Sequence, residues 1–351
     1  MLLPALLLAA IGVAMVYAAT FSKTGAQVLY LKQVVWLSLS LLAMLFFASL
    51  NYQVLIERYS FPAYWALVVL LALLLAAGEE IAGSRRWLSL GPFGIQPSEF
   101  AKIATVLVLA KFLANRHDRT HEWGTFWGAL LLAGLPMLLI LREPDLGTAL
   151  VFIPMVLVLL FVQGVPLRRL LGTVGAGLLA SPLVWLLLKD YQRRRLLVFL
   201  NPSSDTLGAG YNVIQSKIAI GSGMLTGKGW LSGTQGQLRF VPEHHTDFIF
   251  SVLAEEWGFV GALVVVLLFI LLLLQALRVA RSARDLEGSL TAIGLTTMLF
   301  TQITVNLGVA SGILPVTGMT LPLISYGGSS LIAVFSLLGI LNSIWTGRTV
   351  K

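Results

Sequence analysis

The chain has 351 residues, of which 57% are hydrophobic and only 11% charged, where a soluble domain carries about 25%. With a mean hydropathy of +0.88, this composition excludes a soluble globular protein and fits an integral membrane one. The net charge of +8 is spread over many loops, which argues against a nucleic-acid partner, and the absence of cysteine excludes disulfides and thiolate chemistry.

Apolar runs long enough to cross a bilayer recur along the whole length. Runs such as LVVLLALLLAA at 67–77 lack the alternation of a barrel strand. The expected fold class is therefore all-α, a polytopic bundle of ten transmembrane helices in a single membrane domain over residues 1–351. The first seven spans fall at about 2–21, 33–52, 61–78, 97–114, 123–141, 146–165 and 170–188. The first lacks a basic leading region and is longer than a usual signal-peptide core, so it is expected to be a span rather than a cleaved leader. A long polar segment, 189–246, follows, and the eighth span runs from near Asp247 to near Leu277. Residues 288–347 contain no charged side chain. They exceed one helix, and the Gly/Pro-rich SGILPVTGMTLPLISYGGSS at 311–330 divides them into two spans.

Ten spans place both termini on one side. Basic residues in short loops decide which side. Arg58, Lys111, Arg116, Arg119, Arg168, Arg169, Arg278, Arg281, Arg284, Arg348 and Lys351 lie on the side of the termini, and Lys23, Lys32, Arg85, Arg86 and Arg142 on the other. This bias predicts cytoplasmic termini and an external 189–246 loop, with 79–97, 142–145 and 311–320 on the same external side.

Several residues stand out against the apolar background. Asp247 marks the entry to the eighth span. An Asp there serves either as a helix-start acid, favoured by the dipole and free N–H groups, or as a reactive carboxylate. Glu255 and Glu256 follow within the same helix, where a charge costs roughly 2–3 kcal/mol. A helix continuous from Asp247 puts Glu255 on a broad face shared with it and Glu256 opposite. A water-filled cavity beside that face is the economical explanation. Glu99 and Lys102, three residues apart, share a face of the fourth span. They form a neutralising pair, and they fit equally well as a pair that shapes a cavity. Arg193, Arg194 and Arg195 stand on the external side, against the positive-inside trend. They serve either lipid headgroups or a pyrophosphate-bearing ligand, whose oxygens a guanidinium fork suits, with Arg85, Arg86 and Lys217 adding to the field. GSGMLTGKG at 221–229 is not a P-loop, because Gly223 and Gly227 are four apart and Gly229 replaces the required Ser/Thr. Its glycines suggest either close backbone packing or simple flexibility. His244 and His245 are adjacent in a loop, which is not metal-ligand spacing.

These stretches together resemble the SEDS family (shape, elongation, division, sporulation). The resemblance is carried by NPSSDTLGAGYNVIQSKIAIGSG, GKGW, GTQGQL, FVPE and HTDFIFSVLAEEWG between 201 and 258, by RRWLSLGPFGIQPSEFAK at 85–102, by EPDLGTA at 143–149 and by LPVTGMTLPLISYGGSS at 314–330. The LPVTG form is more similar to the RodA branch than to the divisional FtsW branch, whereas EPDLG occurs in both. The resemblance implies a ten-span peptidoglycan glycosyltransferase in the bacterial cytoplasmic membrane that joins lipid II units, undecaprenyl-pyrophosphate disaccharide-peptides, on the external face. It implies a class B penicillin-binding protein as transpeptidase partner and the elongation machinery as setting. It further implies Asp247 as the essential acid, Glu255 as its support, and Trp87, Glu99 and Lys102 in the surrounding shell. A divalent cation (Mg or Mn) is expected, with ligands not evident in the sequence.

The chemistry is consistent with the residues. Pyrophosphate leaves as an anion and needs no proton, so one carboxylate base suffices where glycosidases use two carboxyl groups. Asp247 would take the proton of the acceptor hydroxyl in an inverting displacement. Arg193, Arg194, Arg195, Arg86, Trp87 and Lys217 would hold the substrate. The rivals are a lipid II flippase, which needs polar residues through the full membrane depth, and a non-catalytic scaffold, which gives no reason for the costly acids.

Overall fold

The computed structural model describes residues 1–21, 27–78, 86–90, 93–187, 190–201, 208–233 and 245–347. The predicted span order is followed. Helices α1 (Leu2–Thr20), α2 (Gln27–Ser49), α3 (Tyr52–Ala77), α4 (Pro97–Ala114), α5 (Trp123–Arg142), α6 (Leu146–Val162) and α7 (Leu167–Leu187) precede the polar segment. That segment carries two helices of its own, α8 (Asp190–Leu200) and α9 (Ala209–Ser222). Helices α10 (Ile249–Ser282), α11 (Leu286–Ala310) and α12 (Gly328–Gly347) complete the chain. Among the described residues, seven helices are long and apolar enough to cross a membrane. Of the other three at predicted spans, α6 is apolar but 17 residues long, and α4 carries Glu99, Lys102 and Lys111. The protein is an all-α, multi-pass membrane protein.

Helices α4, α11 and α12 form the centre, while α2, α3 and α10 present most of their surface outward. Lipid tails are as apolar as Leu, so spans associate through close packing rather than hydrophobic exclusion. Small residues permit that approach. A Cβ at Gly339 would fall 2.5 Å from the carbonyl oxygen of Met44, and one at Gly294 would fall 2.6 Å from Val106 Cγ1.

Three local features differ from the sequence expectation. The predicted gap between the second and third spans is helical: Asn51 caps α3 by accepting from the Gln53 N–H at 2.9 Å, and Leu55–Tyr59 forms a π-helical turn. A two-stranded hairpin, β1 (Leu88–Leu90) and β2 (Phe93–Ile95), precedes α4. Helix α10 is broken at Gly258, whose φ of 66° and ψ of −164° leave the helical region. The 224–229 segment satisfies the backbone groups released there. Phe259 and Val260 N–H donate to the carbonyls of Met224 (2.9 Å) and Leu225 (3.1 Å), and Lys228 and Gly229 N–H donate to those of Glu255 and Glu256, both at 3.0 Å. A Cβ at Gly227 would lie 2.0 Å from the Glu256 oxygen, so close backbone packing, not flexibility alone, explains glycine at this position.

Candidate active site

The residues singled out by sequence converge on one end of the bundle, around the irregular 311–327 segment. This segment re-enters the protein: Leu321, Leu323 and Ile324 are buried, and Gly12 of α1 sits against the Leu323 carbonyl. Buried irregular backbone must find hydrogen-bond partners. Here they come from the neighbourhood of Asp247. Tyr326 N–H donates to the His245 carbonyl at 2.9 Å, Ser325 Oγ donates to the Thr246 carbonyl at 2.5 Å, and Gln33 Nε2 donates to the Ser325 carbonyl at 3.2 Å. Asn306 of α11 donates through Nδ2 to the carbonyls of Asp247 (3.0 Å) and Met319 (2.6 Å).

Asp247 lies in the turn before α10, not in the helix. The helix begins at Ile249 with Phe248 at the N-cap position and no side-chain cap. The N-cap position therefore falls to Phe248 rather than Asp247, and the face argument drawn from a helix continuous through Asp247 does not apply. The half-buried Asp247 carboxylate is instead directed toward Gly318, with Oδ2 3.8 Å from the position a Cβ there would take. Arg195 Nη1 lies at the same 3.8 Å from that position, so the two charged groups flank the glycine. Gly318 has φ +75°, a left-handed conformation that favours glycine. Arg195 also approaches the Val316 carbonyl at 3.5 Å.

The other arginines divide by role. Arg193 is turned toward the end of α7, donating through Nε to the Trp185 carbonyl (3.0 Å) and through Nη2 to the Leu186 carbonyl (2.8 Å). Those carbonyls belong to the last turn of α7, so Arg193 caps a helix terminus. Arg194 lies on α8, with its side chain outside the described residues, as are Arg85 and His244. Lys217, on α9, is exposed and lies over Gly312, which has φ +70°. Helix α9 is held by Val213 packing on Phe248 and Val309, and by Ser216 Oγ, 2.5 Å from both Ser251 Oγ and the Ala310 carbonyl.

A second cluster forms beside Asp145, the N-cap of α6. Its carboxylate accepts from Thr148 N–H (3.0 Å), Thr148 Oγ1 (2.9 Å) and Gln96 Nε2 (2.8 Å), with Arg86 Nη1 at 3.7 Å. Gly147 joins this cluster to the 311–327 segment, since a Cβ there would fall 2.7 Å from the Thr317 carbonyl. Glu143 is buried with both carboxyl oxygens lacking a hydrogen-bond partner. Burial, and secondarily the Asp145 charge, push its carboxyl up to about 8, with Arg86 opposing. Trp87 packs against Gly94 of the hairpin. With Leu70, Leu73, Leu74, Ala77, Gly78 and Leu88 it also lines an apolar groove of about 340 Å³.

Two ion pairs are buried nearby. Glu99 and Lys102 meet at 2.7 Å, with Lys102 1% exposed. Removing one partner would leave a buried charge, at a cost of about 3–5 kcal/mol. Glu255, fully buried, meets Lys228 of the glycine-rich segment at 2.6 Å, so its carboxylate turns toward that segment. Among the described residues no three His, Cys, Asp or Glu side chains stand close enough to hold a metal ion. The described donors therefore do not form an all-protein metal site.

Sequence reasoning missed Asn306, Ser325, Gln96, Lys228 and Glu143. Asn306 carried a usable signal, as a strongly polar side chain within the charge-free 288–347 stretch.

The chain matches the FtsW/RodA/SpoVE family of cell cycle proteins over residues 1–349. It is 49% identical over 288 residues to the peptidoglycan glycosyltransferase MrdB of Escherichia coli K12, covering 81% of this chain and 77% of that protein. It superimposes on a chain from a solved peptidoglycan synthase complex with a TM-score of 0.83 at 38% identity, covering 99% of this chain and 98% of that one. The crystal structure of the rod shape determining protein RodA of Thermus thermophilus aligns with a TM-score of 0.73 at 35% identity, covering 100% and 97% of the two chains. A family match along nearly the whole length, with relatives this similar, means that the chain belongs to the FtsW/RodA/SpoVE family.

Proposed function

We propose that this protein is a peptidoglycan glycosyltransferase that polymerises lipid II on the external face of the bacterial cytoplasmic membrane during cell elongation. The observation that carries the proposal is the Asp247 carboxylate, which stands outside the N-cap position of α10 and lies beside Gly318 together with Arg195. Asp247 removes the proton of the acceptor sugar hydroxyl as that oxygen attacks the anomeric carbon of the donor. The bond to the lipid pyrophosphate breaks, and the pyrophosphate leaves with the electron pair. Arg195 stabilises the departing charge, and Lys217 adds positive potential at the same end. Gly318 keeps the space between base and guanidinium clear of side-chain atoms. Glu255, Glu99 and Lys102 support the surrounding framework through their buried pairs, and Trp87 borders the approach from the bilayer. The apolar groove beneath Trp87 suits an aliphatic chain. The MrdB and RodA relatives support this reading. A divalent cation would supply further stabilisation of the departing pyrophosphate charge.

The same reading places the termini in the cytoplasm and the 189–246 segment outside, and pairs the polymerase with a class B penicillin-binding protein. The chain has no native cysteine, so single cysteines at Ser204 and Ser282 report the orientation. An impermeant reagent on intact cells should label Ser204→Cys and spare Ser282→Cys. The central test is glycan polymerisation by purified protein supplied with lipid II, with and without the partner. Polymer from wild type and a loss of roughly 10²-fold or more in Asp247→Asn support the mechanism. Transport of lipid II without polymer would support a flippase instead, and an Asn variant at wild-type rate would exclude Asp247 as base.

A further inference from the structure

We propose that Asn306 is a positioning residue for the polymerisation reaction, fixing the Asp247 carboxylate against Gly318 by joining the backbones that carry them. Asn306 is 1% exposed and lies in the penultimate turns of α11. Its amide nitrogen donates to two carbonyls from distant parts of the chain, Asp247 at 3.0 Å and Met319 at 2.6 Å. A primary amide has two N–H donors, and both are used. The orientation follows from the partners, since a flipped amide would set its oxygen against two carbonyl oxygens.

Neither carbonyl belongs to a regular element. Asp247 sits in the turn before α10, and Met319 in the irregular segment beside Gly318. Without a ladder or helix to fix them, the two backbones rely on a few individual hydrogen bonds for their separation. Asn306 therefore sets the distance between the residue carrying the base and the residue next to the glycine that faces it. Ser325 and Tyr326 hold Thr246 and His245, one and two residues earlier, and Asn306 bonds the Asp247 carbonyl itself. The side chain touches no reacting atom, and its effect passes through Asp247. A misplacement of about 1 Å at a reacting group lowers rate by up to about 10²-fold.

The proposal rests on the polymerase reading, and its test keeps the two apart. The full-length protein, purified with its transpeptidase partner, is assayed with lipid II for kcat and KM separately, alongside melting temperature. Asn306→Ala should lower kcat about 10- to 100-fold while KM changes less than about 2-fold, because lipid II binding does not pass through Asp247 geometry. In Asn306→Asp, two carboxylate oxygens face two carbonyl oxygens, and protonation restores one donor. The kcat of this variant relative to wild type, measured at pH values where the melting temperature shows both folded, should therefore rise as pH falls, a response that loss of folded protein would not give. A wild-type kcat in Asn306→Ala, or a flat pH ratio in Asn306→Asp, overturns the proposal. Asp247→Asn is run in parallel: a normal rate there sinks the base assignment, whereas loss there with a normal Asn306→Ala sinks the positioning role alone.

Discussion

Three aspartates stand at the start of three helices, and they have different fates. Asp285 caps α11, accepting from Gly288 N–H at 2.7 Å, Tyr52 Oη at 2.7 Å and Gln53 Nε2 at 2.9 Å. Asp145 caps α6 and is similarly enclosed by Thr148 and Gln96. Asp247 stands two residues before α10, outside the N-cap position that Phe248 holds, and lies beside Gly318. Burial alone would raise the Asp285 carboxyl, but the hydrogen bonds from Tyr52, Gly288 and Gln53, with nearby Arg284, hold it below the usual carboxylate range. A carboxylate enclosed by donors is a poor base, because its ionised form is already stabilised. Position at a helix start does not separate a structural acid from a reactive one. What the carboxylate faces does: Tyr52 and Gln53 for Asp285, Thr148 and Gln96 for Asp145, and the left-handed Gly318 for Asp247.

The largest expected effect tests this contrast directly. Asp247→Asn should lower lipid II polymerisation by roughly 10²-fold or more with little change in melting temperature. Asp285→Ala should do the reverse, lowering stability by about 1–2 kcal/mol, as lost caps do, while activity per folded molecule stays near wild type. A large rate loss in Asp285→Ala with unchanged stability would break the comparison. The Asp285 contribution should also fade as pH drops through its lowered carboxyl value, since a depressed acid stabilises the folded state only while ionised.

The arginines sharpen the same distinction with a smaller effect. Arg195→Gln should raise the KM for lipid II, and Arg195→Lys should recover only part of it, because Lys lacks the fork. Arg193→Gln should leave KM unchanged and lower the melting temperature, because its guanidinium caps α7. Equal KM shifts in both variants would return Arg193 to substrate binding.

The smallest effect belongs to Glu143. Its folded carboxyl titrates near 8 because of burial, against 4.5 ordinarily. The buried neutral acid is fully compatible with the fold below about pH 4.5, and that stability is lost as pH rises toward 8. Glu143→Gln should therefore melt a few degrees above wild type at pH 8 and match it near pH 4.5. Parallel melting curves across that range would show that Glu143 ionises normally.

How much was legible beforehand depended on whether a feature is local. Span order followed from hydropathy, because a bilayer admits only segments that satisfy their own backbone. The residues of interest were visible because a charge in an apolar chain is costly and therefore conspicuous. Their roles were less visible. Arg193 and Arg195 are two residues apart and chemically identical, and only the tertiary structure sends one to the end of α7 and the other toward Gly318. Asp247 reads equally well as a cap or a base in the sequence, and only the structure shows that Phe248 holds the N-cap position of a helix beginning at Ile249. The break at Gly258 was hidden because the segment that satisfies it lies some thirty residues earlier. Sequence by itself determined the all-α membrane class, the span order and which charged residues needed explaining, since these depend on the transfer energies of neighbouring residues. Tertiary structure alone brought Tyr52 and Gln53 to Asp285, Gln96 to Asp145 and Gly318 to Asp247, because these contacts join segments far apart in the chain.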